Sequence, residues 1–454
     1  MIKRSSWRSQ FGFYLIAIGS AFGLGNLWRF HYIVGENGGG AFLLVYVILS
    51  LTVGMTLMIA ELMLGQLSHS TLLVSSQKLG EKQKMPFRYI GIMSLVICFI
   101  VLSYYSVVSG WVLHFLTQFV KSLFVKDHLR EMSQQSLSIL LNNGWLQFLL
   151  ASVHIILSLV VVAKGVQEGL EKWVSRIMPL FALLVVVLVA RALAMPSSGA
   201  VLRFLFYPDF SKLNLKSLAQ AVGHMCFTLS IGFGTIVTFG SYMKRNENLA
   251  SVGMKVTFLD TLISLVAVLL VFPMAFHGSE RPMTDPTLLF EALPKFFLEI
   301  KGGLYFGLIF FLCLWLAALN ASIGLLETMV ANFTDLKPKT PRNYFAWMVG
   351  GGVLVLALFP ALSGTVFRDL RILGLSLIEF LDTVLINWIL PVSALFIGFM
   401  FYRSYKSEME NIFVDETQVA SLVLYRDWRR VLRWGAPVII ILGLVLQVCY
   451  LVLS

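Results

Sequence analysis

The chain has 454 residues, of which 58% are hydrophobic and 13% are charged, and its mean hydropathy is +0.82. Soluble globular proteins are far less apolar, so the composition excludes that class and predicts a protein that crosses a membrane many times. The net charge of +11 would suggest nucleic acid as the partner of a soluble protein. Here the basic residues lie mainly in short loops beside apolar segments, so we expect a lipid bilayer and no nucleic acid.

The first apolar segment, residues 10–37, is long enough to span a bilayer, yet its centre is unfavourable for a regular helix. Gly19, Gly23 and Gly25 each weaken a helix by about 1 kcal/mol relative to alanine, and Asn26 and Arg29 follow at once. Broken backbone is tolerated at membrane depth only where protein or a polar cavity surrounds it. The pattern predicts a broken helix beside a polar site, whereas close helix packing would explain only the glycines.

The sixth apolar segment repeats this anomaly, because Gly232 and Gly234 interrupt it just after Thr228 and Ser230. Two broken spans that lie five spans apart predict two five-helix repeats of opposite orientation, with a binding site near the bilayer midplane. We expect the first repeat in residues 1–194 and the inverted second repeat in residues 195–402. Residues 403–454 then form a cytoplasmic loop and an eleventh span.

Nine unbroken apolar segments predict the remaining spans: 43–67, 89–123, 144–163, 170–194, one around Asp260, one around Asn320, 344–359, 372–402 and 434–453. The polar stretches between them are expected to be loops: 68–88, 125–143, 195–216, 278–301 and 403–433. The fourth and fifth spans carry mostly aliphatic residues, so we expect them to be scaffold. Lys and Arg concentrate in the loops that share a side with the N-terminus, which predicts a multi-pass protein of the inner (plasma) membrane with a cytoplasmic N-terminus.

Arg29, Glu61, Asp260 and Asp382 are charged residues inside the predicted spans. Charges at membrane depth are rare and costly, so each is a functional candidate. We expect Glu61 to bind free backbone N–H groups of a broken helix. Asp260 fits a cation site, since the oxygen and amide groups on the two broken spans suit a hard monovalent cation. The alternative is an aspartate that is hydrogen-bonded to serine and threonine. No nucleophile with its base appears, so we expect no enzyme.

Five sequence features resemble the neurotransmitter:sodium symporter family: GLGNLWRF at 23–30, ENGGGAF at 36–42, FTLSIGFG at 227–234, the spacing of Tyr104 to Trp111 and, more loosely, the stretch from Met329 to Asp335. They match in order, and the resemblance runs over essentially the whole chain. It implies an all-α integral membrane protein of the leucine-transporter fold, with about eleven transmembrane helices and a 5+5 inverted repeat whose first and sixth helices are broken. The implied function is sodium-coupled uptake of an amino acid by alternating access.

The resemblance also implies a substrate site at the two helix breaks. The α-carboxylate meets the N–H groups of Leu24 and Gly25 and the hydroxyl of Tyr105, and Gly23 leaves room for it. The ammonium meets carbonyls of Ala21, Phe227 and Thr228. The side-chain pocket is implied to consist of Val101, Ser230, Phe233, Ser322 and Leu325. Because these walls are mainly apolar and carry no charge, we expect a neutral hydrophobic or aromatic L-amino acid.

A first sodium site is implied at Ala21, Asn26, Thr228 and Asp260, completed by the substrate carboxylate. Relatives of the family that depend on chloride carry a serine at the position of Ser264, so chloride binding stays open. The fixed charge of Asp260 favours chloride independence. A second sodium site is implied at the carbonyls of Gly19, Phe22 and Ala317 together with Asn320, but Ala321 stands where relatives have a side-chain oxygen. This second site binds sodium weakly, uses water as a ligand, or has been lost.

Two gates are implied by the same resemblance. Arg29 and Asp382, beneath Tyr105 and Phe233, would close the outside, and Arg4 with Asp335 would close the inside. His224 replaces a glutamine common in the family. Two alternatives stay open: a transporter of the same fold that uses one sodium ion or protons, and an amino-acid sensor that does not transport. A homodimer also stays open.

Overall fold

The computed structural model describes residues 6–8, 10–21, 23–125, 128–244, 247–276, 288–409 and 419–453. Arg4 and Phe22, which belong to the predicted inner gate and second sodium site, lie outside these described residues. The described chain is helical and contains no β-strand, apart from an isolated bridge between Ile372 and Leu375. The expected all-α fold is confirmed.

Within the described residues, nine continuous helices are long and apolar enough to cross a membrane. They are the second span, Gly40–Ser68, the third, Arg88–Lys121, the fourth, Gly144–Ala163, the fifth, Val166–Leu193, the seventh, Leu249–Met274, the eighth, Gly303–Leu336, the ninth, Arg342–Ala361, the tenth, Leu377–Ser404, and the eleventh, Leu424–Leu453. The first and sixth spans are each interrupted, so neither half reaches this length. Together the set is compatible with the eleven spans expected from the sequence.

The first span consists of the helix Gln10–Ala21, a π-helical turn at Gly25–Arg29 and the helix Phe30–Glu36. The glycine at the break is required by close packing. A Cβ atom on Gly23 would lie 2.6 Å from the Tyr105 hydroxyl oxygen. Any larger residue would therefore displace a side chain of the third span.

The sixth span is broken between the helices Leu215–Thr228 and Thr235–Gly240. Gly232 and Gly234 adopt φ values of +88° and +74°, which L side chains rarely adopt. A Cβ on Gly232 would also lie 2.7 Å from the Leu390 carbonyl oxygen. Backbone conformation and packing both require glycine here, so this break is built into the sequence.

The stretches expected to be loops contain five helices of at least eight residues: Leu72–Gln83, His128–Leu141, Ser198–Phe206, Leu288–Glu299 and Val419–Arg430. The loop prediction was wrong there because span length alone cannot reveal a short helix with one apolar face. The tenth span also begins later than expected. Ser376 caps it, since its Oγ and the Glu379 carboxylate exchange hydrogen bonds with each other's backbone N–H in a capping box.

The eighth span is central to the arrangement that holds the site. It contacts the third, fourth, fifth and ninth spans and both the first half of the first span and the second half of the sixth. Groups from the two breaks can therefore meet side chains of the eighth span. The division into two repeats and a C-terminal segment remains a prediction.

Candidate sodium and substrate site

A fully buried carboxylate, that of Asp260, lies beside Asn26 and Thr228. Among the described residues, neither of its oxygens makes a hydrogen bond of good geometry, and the Asn26 Oδ1 atom makes none either. The Asn26 and Thr228 side chains lie close enough to Asp260 to compensate part of its charge. A buried charged group without a partner is strongly unfavourable. The two carboxylate oxygens of Asp260 and the neighbouring amide oxygen of Asn26 therefore form a site that a cation would stabilise.

Hydroxyl groups from three spans complete the surroundings of Asp260. The Tyr46 hydroxyl lies 3.2 Å from Thr228 Oγ1 and 3.1 Å from Ser264 Oγ. Asn26 donates from Nδ2 to Ser264 Oγ at 2.8 Å, which leaves the oxygen of this amide free. Ala21 is the last residue of its helix, so its carbonyl is among those that lack an intrahelical partner. This oxygen-rich set suits a hard monovalent cation.

The residues expected to hold an α-carboxylate also converge. The Leu24 N–H donates to the Tyr105 hydroxyl oxygen at 2.9 Å. Gly23 lies against both Tyr105 and Ala321, because a Cβ there would meet the Ala321 methyl at 3.0 Å. Gly25 lies against the Phe227 ring. The first, third, sixth and eighth spans thus meet at one point.

The expected side-chain pocket is buried, with Val101, Ser230, Phe233, Ser322 and Leu325 all less than 9% exposed. Phe233 packs on Phe227 with ring centroids 6.2 Å apart. One polar neighbour of this pocket was missed from the sequence. His154 of the fourth span lies with Nε2 at 2.8 Å from Ser322 Oγ. A histidine in the middle of a mainly apolar span was the available signal.

The break in the sixth span is stabilised by side chains from three other spans. The Gly232 N–H donates to Glu61 Oε1 at 2.7 Å, and the Gly232 carbonyl accepts from Ser393 Oγ at 2.6 Å. The Phe233 carbonyl accepts from the Ser94 hydroxyl and from Cys98 Sγ. The prediction that Glu61 binds free backbone N–H is confirmed.

Arg29 and Asp382, which are predicted to close the outer side, form an ion pair, with Arg29 Nε 2.9 Å from Asp382 Oδ2. Arg29 also donates to Asn387 Oδ1 at 2.7 Å, and Tyr104 donates to Asp382 Oδ1 at 3.2 Å. The two charged side chains are only 3% and 10% exposed. These neighbours shield the pair from water, so it is a buried ion pair and not a surface one. Tyr104 contacts Asp382, whereas Tyr105 contacts Leu24.

A cavity of about 890 Å³ reaches the gate pair from one side. Its walls include Arg29, Asp382, Trp28, Trp111 and Phe290.

His224 stacks on Phe30 with ring centroids 4.5 Å apart, and its Nδ1 lies 3.5 Å from Arg29 Nη1. The histidine is therefore part of the surroundings of the gate arginine.

At the end of the site opposite to Arg29 and Asp382, Asp335 accepts a hydrogen bond from the backbone. Its Oδ2 accepts the N–H of Thr71, which precedes the helix Leu72–Gln83. Trp7 is buried there and donates from Nε1 to the Phe239 carbonyl at 3.2 Å. With Arg4 outside the described residues, the expected Arg4 and Asp335 pair remains a prediction.

A second buried ion pair near Trp7 was missed from the sequence. Glu327, fully buried in the eighth span, is paired with Arg342 at the start of the ninth. The Tyr242 hydroxyl donates to the same carboxylate at 2.8 Å. An acidic residue inside a predicted span was the overlooked signal.

Among its described residues, the second predicted sodium site has no unpartnered side-chain oxygen, unlike the first. Asn320 Oδ1 accepts a hydrogen bond from Trp173 Nε1 at 3.1 Å, and Asn320 Nδ2 lies 3.5 Å from Met178 Sδ. Ala321 contributes no side-chain oxygen. The residues present therefore do not fit a sodium ion in the way that the surroundings of Asp260 do.

Comparison with known proteins gives consistent results. The model of the sodium:neurotransmitter symporter family matches residues 4–127 and 120–451. An uncharacterized sodium-dependent transporter of Bacillus subtilis, YhdH, is 30% identical over 442 residues, which cover 97% of each chain. The sodium-dependent neutral amino acid transporter B(0)AT2 of Bos taurus is 32% identical over 304 residues, covering 59% of this chain and 40% of that protein.

Among solved structures, that of MhsT in complex with L-phenylalanine superposes with a TM-score of 0.88 and 31% sequence identity. The superposition covers 98% of this chain and all of the other. The leucine-transporter fold implied by the sequence motifs is therefore confirmed.

Proposed function

Because the chain belongs to the sodium:neurotransmitter symporter family, we propose that it carries neutral hydrophobic or aromatic L-amino acids into the cell together with sodium by alternating access. The family assignment makes it a sodium-dependent membrane transporter and not an enzyme. The proposal of sodium-coupled amino-acid transport rests on the oxygens of Asp260 and Asn26 that make no hydrogen bond and lie beside the two helix breaks.

We propose that the first sodium ion binds at Ala21, Asn26, Thr228 and Asp260. A cation there offsets the buried charge of Asp260, so the conformation that completes this oxygen set gains the most from sodium. A ligand shifts a conformational equilibrium only by its differential affinity for the two states. Since the substrate carboxylate is placed as a further ligand, sodium and amino acid each increase the affinity for the other.

The amino acid is placed with its carboxylate at Leu24, Gly25 and Tyr105, where helix N–H groups favour an anion. Its ammonium lies by the carbonyls of Ala21, Phe227 and Thr228. The apolar, uncharged pocket supports a hydrophobic or aromatic side chain. Two similar proteins agree with this, since MhsT was solved in complex with L-phenylalanine and B(0)AT2 is a sodium-dependent neutral amino acid transporter.

Access alternates through the two ends of the site. Arg29 and Asp382 close the outer side, and the buried Trp7 with the pair of Arg4 and Asp335 closes the inner side. The proposed orientation in the inner (plasma) membrane has a cytoplasmic N-terminus. Chloride independence is proposed because Asp260 supplies a fixed negative charge beside Ser264. A homodimer is compatible with this account, which does not require one.

The proposal is tested by the thermal stability of the purified protein with each of the twenty amino acids, in sodium chloride, sodium gluconate and potassium chloride. A specific ligand stabilises the folded state by about 2.7 kcal/mol at a hundredfold excess over its dissociation constant. We expect a few hydrophobic or aromatic amino acids to raise the melting temperature in both sodium salts and not in potassium chloride. Equal stabilisation in potassium chloride would contradict sodium coupling.

A further inference from the structure

Three side chains of the fifth span cover the place where the second sodium ion is expected. Trp173 donates its indole N–H to Asn320 Oδ1 at 3.1 Å. Met178 Sδ lies 3.5 Å from Asn320 Nδ2 and 3.3 Å from the position that a Cβ of Gly19 would occupy. Val174 also packs on Gly19. The fifth, first and eighth spans therefore meet directly at this point.

The chemistry of these groups disfavours a sodium ion. A hard cation requires several oxygen ligands, whereas a thioether is a soft ligand and an indole N–H is only a donor. Among the described residues predicted for this site, Asn320 alone supplies a side-chain oxygen, which already accepts the indole N–H. The next residue, Ala321, has only a methyl group. Both polar side-chain atoms of Asn320 have a partner, whereas the carboxylate oxygens of Asp260 make no hydrogen bond among the described residues.

We infer that the hydrogen bond between Trp173 and Asn320 takes the place of the second sodium ion, so that each transport cycle is coupled to one sodium ion. The inference rests on the proposed function. The bond ties the fifth span to the eighth beside the first half-helix, where a cation would otherwise bridge the first and eighth spans. The only coupled ion is then the one at Asp260.

Single-ion coupling has a measurable consequence for transport. With no membrane potential, a tenfold sodium gradient can support about tenfold accumulation of the amino acid with one ion per cycle, and about a hundredfold with two, because the two gradients are thermodynamically linked. The stoichiometry is therefore the property to measure.

The test is a count of bound ²²Na⁺ per monomer of the purified protein at saturating sodium, with L-phenylalanine present as the probe. We expect one ion in the wild type and none in the Asp260→Ala variant. Two ions in the wild type would overturn the inference and leave the proposed function intact. No bound sodium in the wild type would reject the proposed function, and the inference with it.

A reconstruction of the oxygen set gives a second test. The triple variant Trp173→Phe, Asn320→Thr, Ala321→Ser removes the indole donor and supplies two hydroxyl oxygens. We expect it to bind two sodium ions and to show a Hill coefficient near two, where the wild type shows one. Trp145→Phe, at an indole that is 67% exposed, is the matched control and retains one ion. A folded triple variant that binds one ion would contradict the role assigned to Trp173; if it does not fold, the wild-type count decides.

Discussion

His154 Nε2 lies 2.8 Å from the Ser322 hydroxyl oxygen, which joins the fourth span to the eighth beside the expected substrate pocket. Both residues are fully buried, so this bond fixes where the Ser322 hydroxyl points. The fourth span therefore contributes to the site and is more than scaffold.

The first prediction concerns this bond. His154→Ala releases the Ser322 hydroxyl, and a typical hydrogen bond contributes about 1 kcal/mol. We expect amino-acid binding to weaken about fivefold, with the order of preference among hydrophobic amino acids changed. Binding assays with a panel of amino acids measure this. His154→Gln, which keeps a donor and an acceptor, should restore most of the affinity; an unchanged preference order in His154→Ala would count against the role of the bond.

Replacing Asp260 is expected to affect the melting temperature differently in potassium chloride and in sodium chloride. Removing its charge eliminates a buried, unpartnered carboxylate, which is unfavourable in the absence of a cation. Asp260→Ala should therefore melt at a higher temperature than the wild type in potassium chloride. In sodium chloride the variant should lose the sodium-induced increase in melting temperature. A variant that is less stable in potassium chloride would show that Asn26 and Thr228 already compensate the buried charge without a cation.

Breaking the buried ion pair of Arg29 and Asp382 is expected to destabilise the protein strongly. Asp382→Ala leaves the Arg29 guanidinium buried with reduced compensation, which typically destabilises a protein by about 3–5 kcal/mol. Denaturation of the purified protein measures the loss. The exposed pair of Glu291 and Lys295 provides the control, because Glu291→Ala should change stability by about 0–1 kcal/mol. Similar losses in the two variants would contradict the burial of the gate pair.

Glu61 is predicted to act through an oxygen acceptor and not through its charge. Glu61→Gln keeps an oxygen for the Gly232 N–H, so its stability should stay near that of the wild type. Glu61→Ala leaves the N–H unpartnered, which costs about 1–3 kcal/mol. Melting curves of the two variants make the comparison. Equal destabilisation by both would show that the negative charge itself is needed.

Features with a strong local cause could be predicted from the sequence. Glycines weaken a helix, so both helix breaks could be predicted from glycines such as Gly23 and Gly232 beside polar residues. The structure adds that a Cβ atom at either position would lie closer than 3 Å to a neighbouring atom. The rarity of charge at membrane depth likewise identified Arg29 and Asp382, which the structure brings together.

Contacts that depend on the rotation and packing of helices could not be predicted. Tyr104 and Tyr105 are adjacent, and only the orientation of the third span decides that one binds Asp382 and the other Leu24. Trp173 and His154 were overlooked because average composition hides single polar groups in an aliphatic helix. Each becomes significant only once the eighth span is known to lie against it.

The central claim is most directly tested by uptake of radiolabelled L-phenylalanine into proteoliposomes that contain the purified protein. With an inward sodium gradient, we predict accumulation above the external concentration, and no accumulation with potassium in place of sodium or in the Asp260→Ala variant. Accumulation that is equally large in potassium would contradict sodium-coupled transport through the site at Asp260.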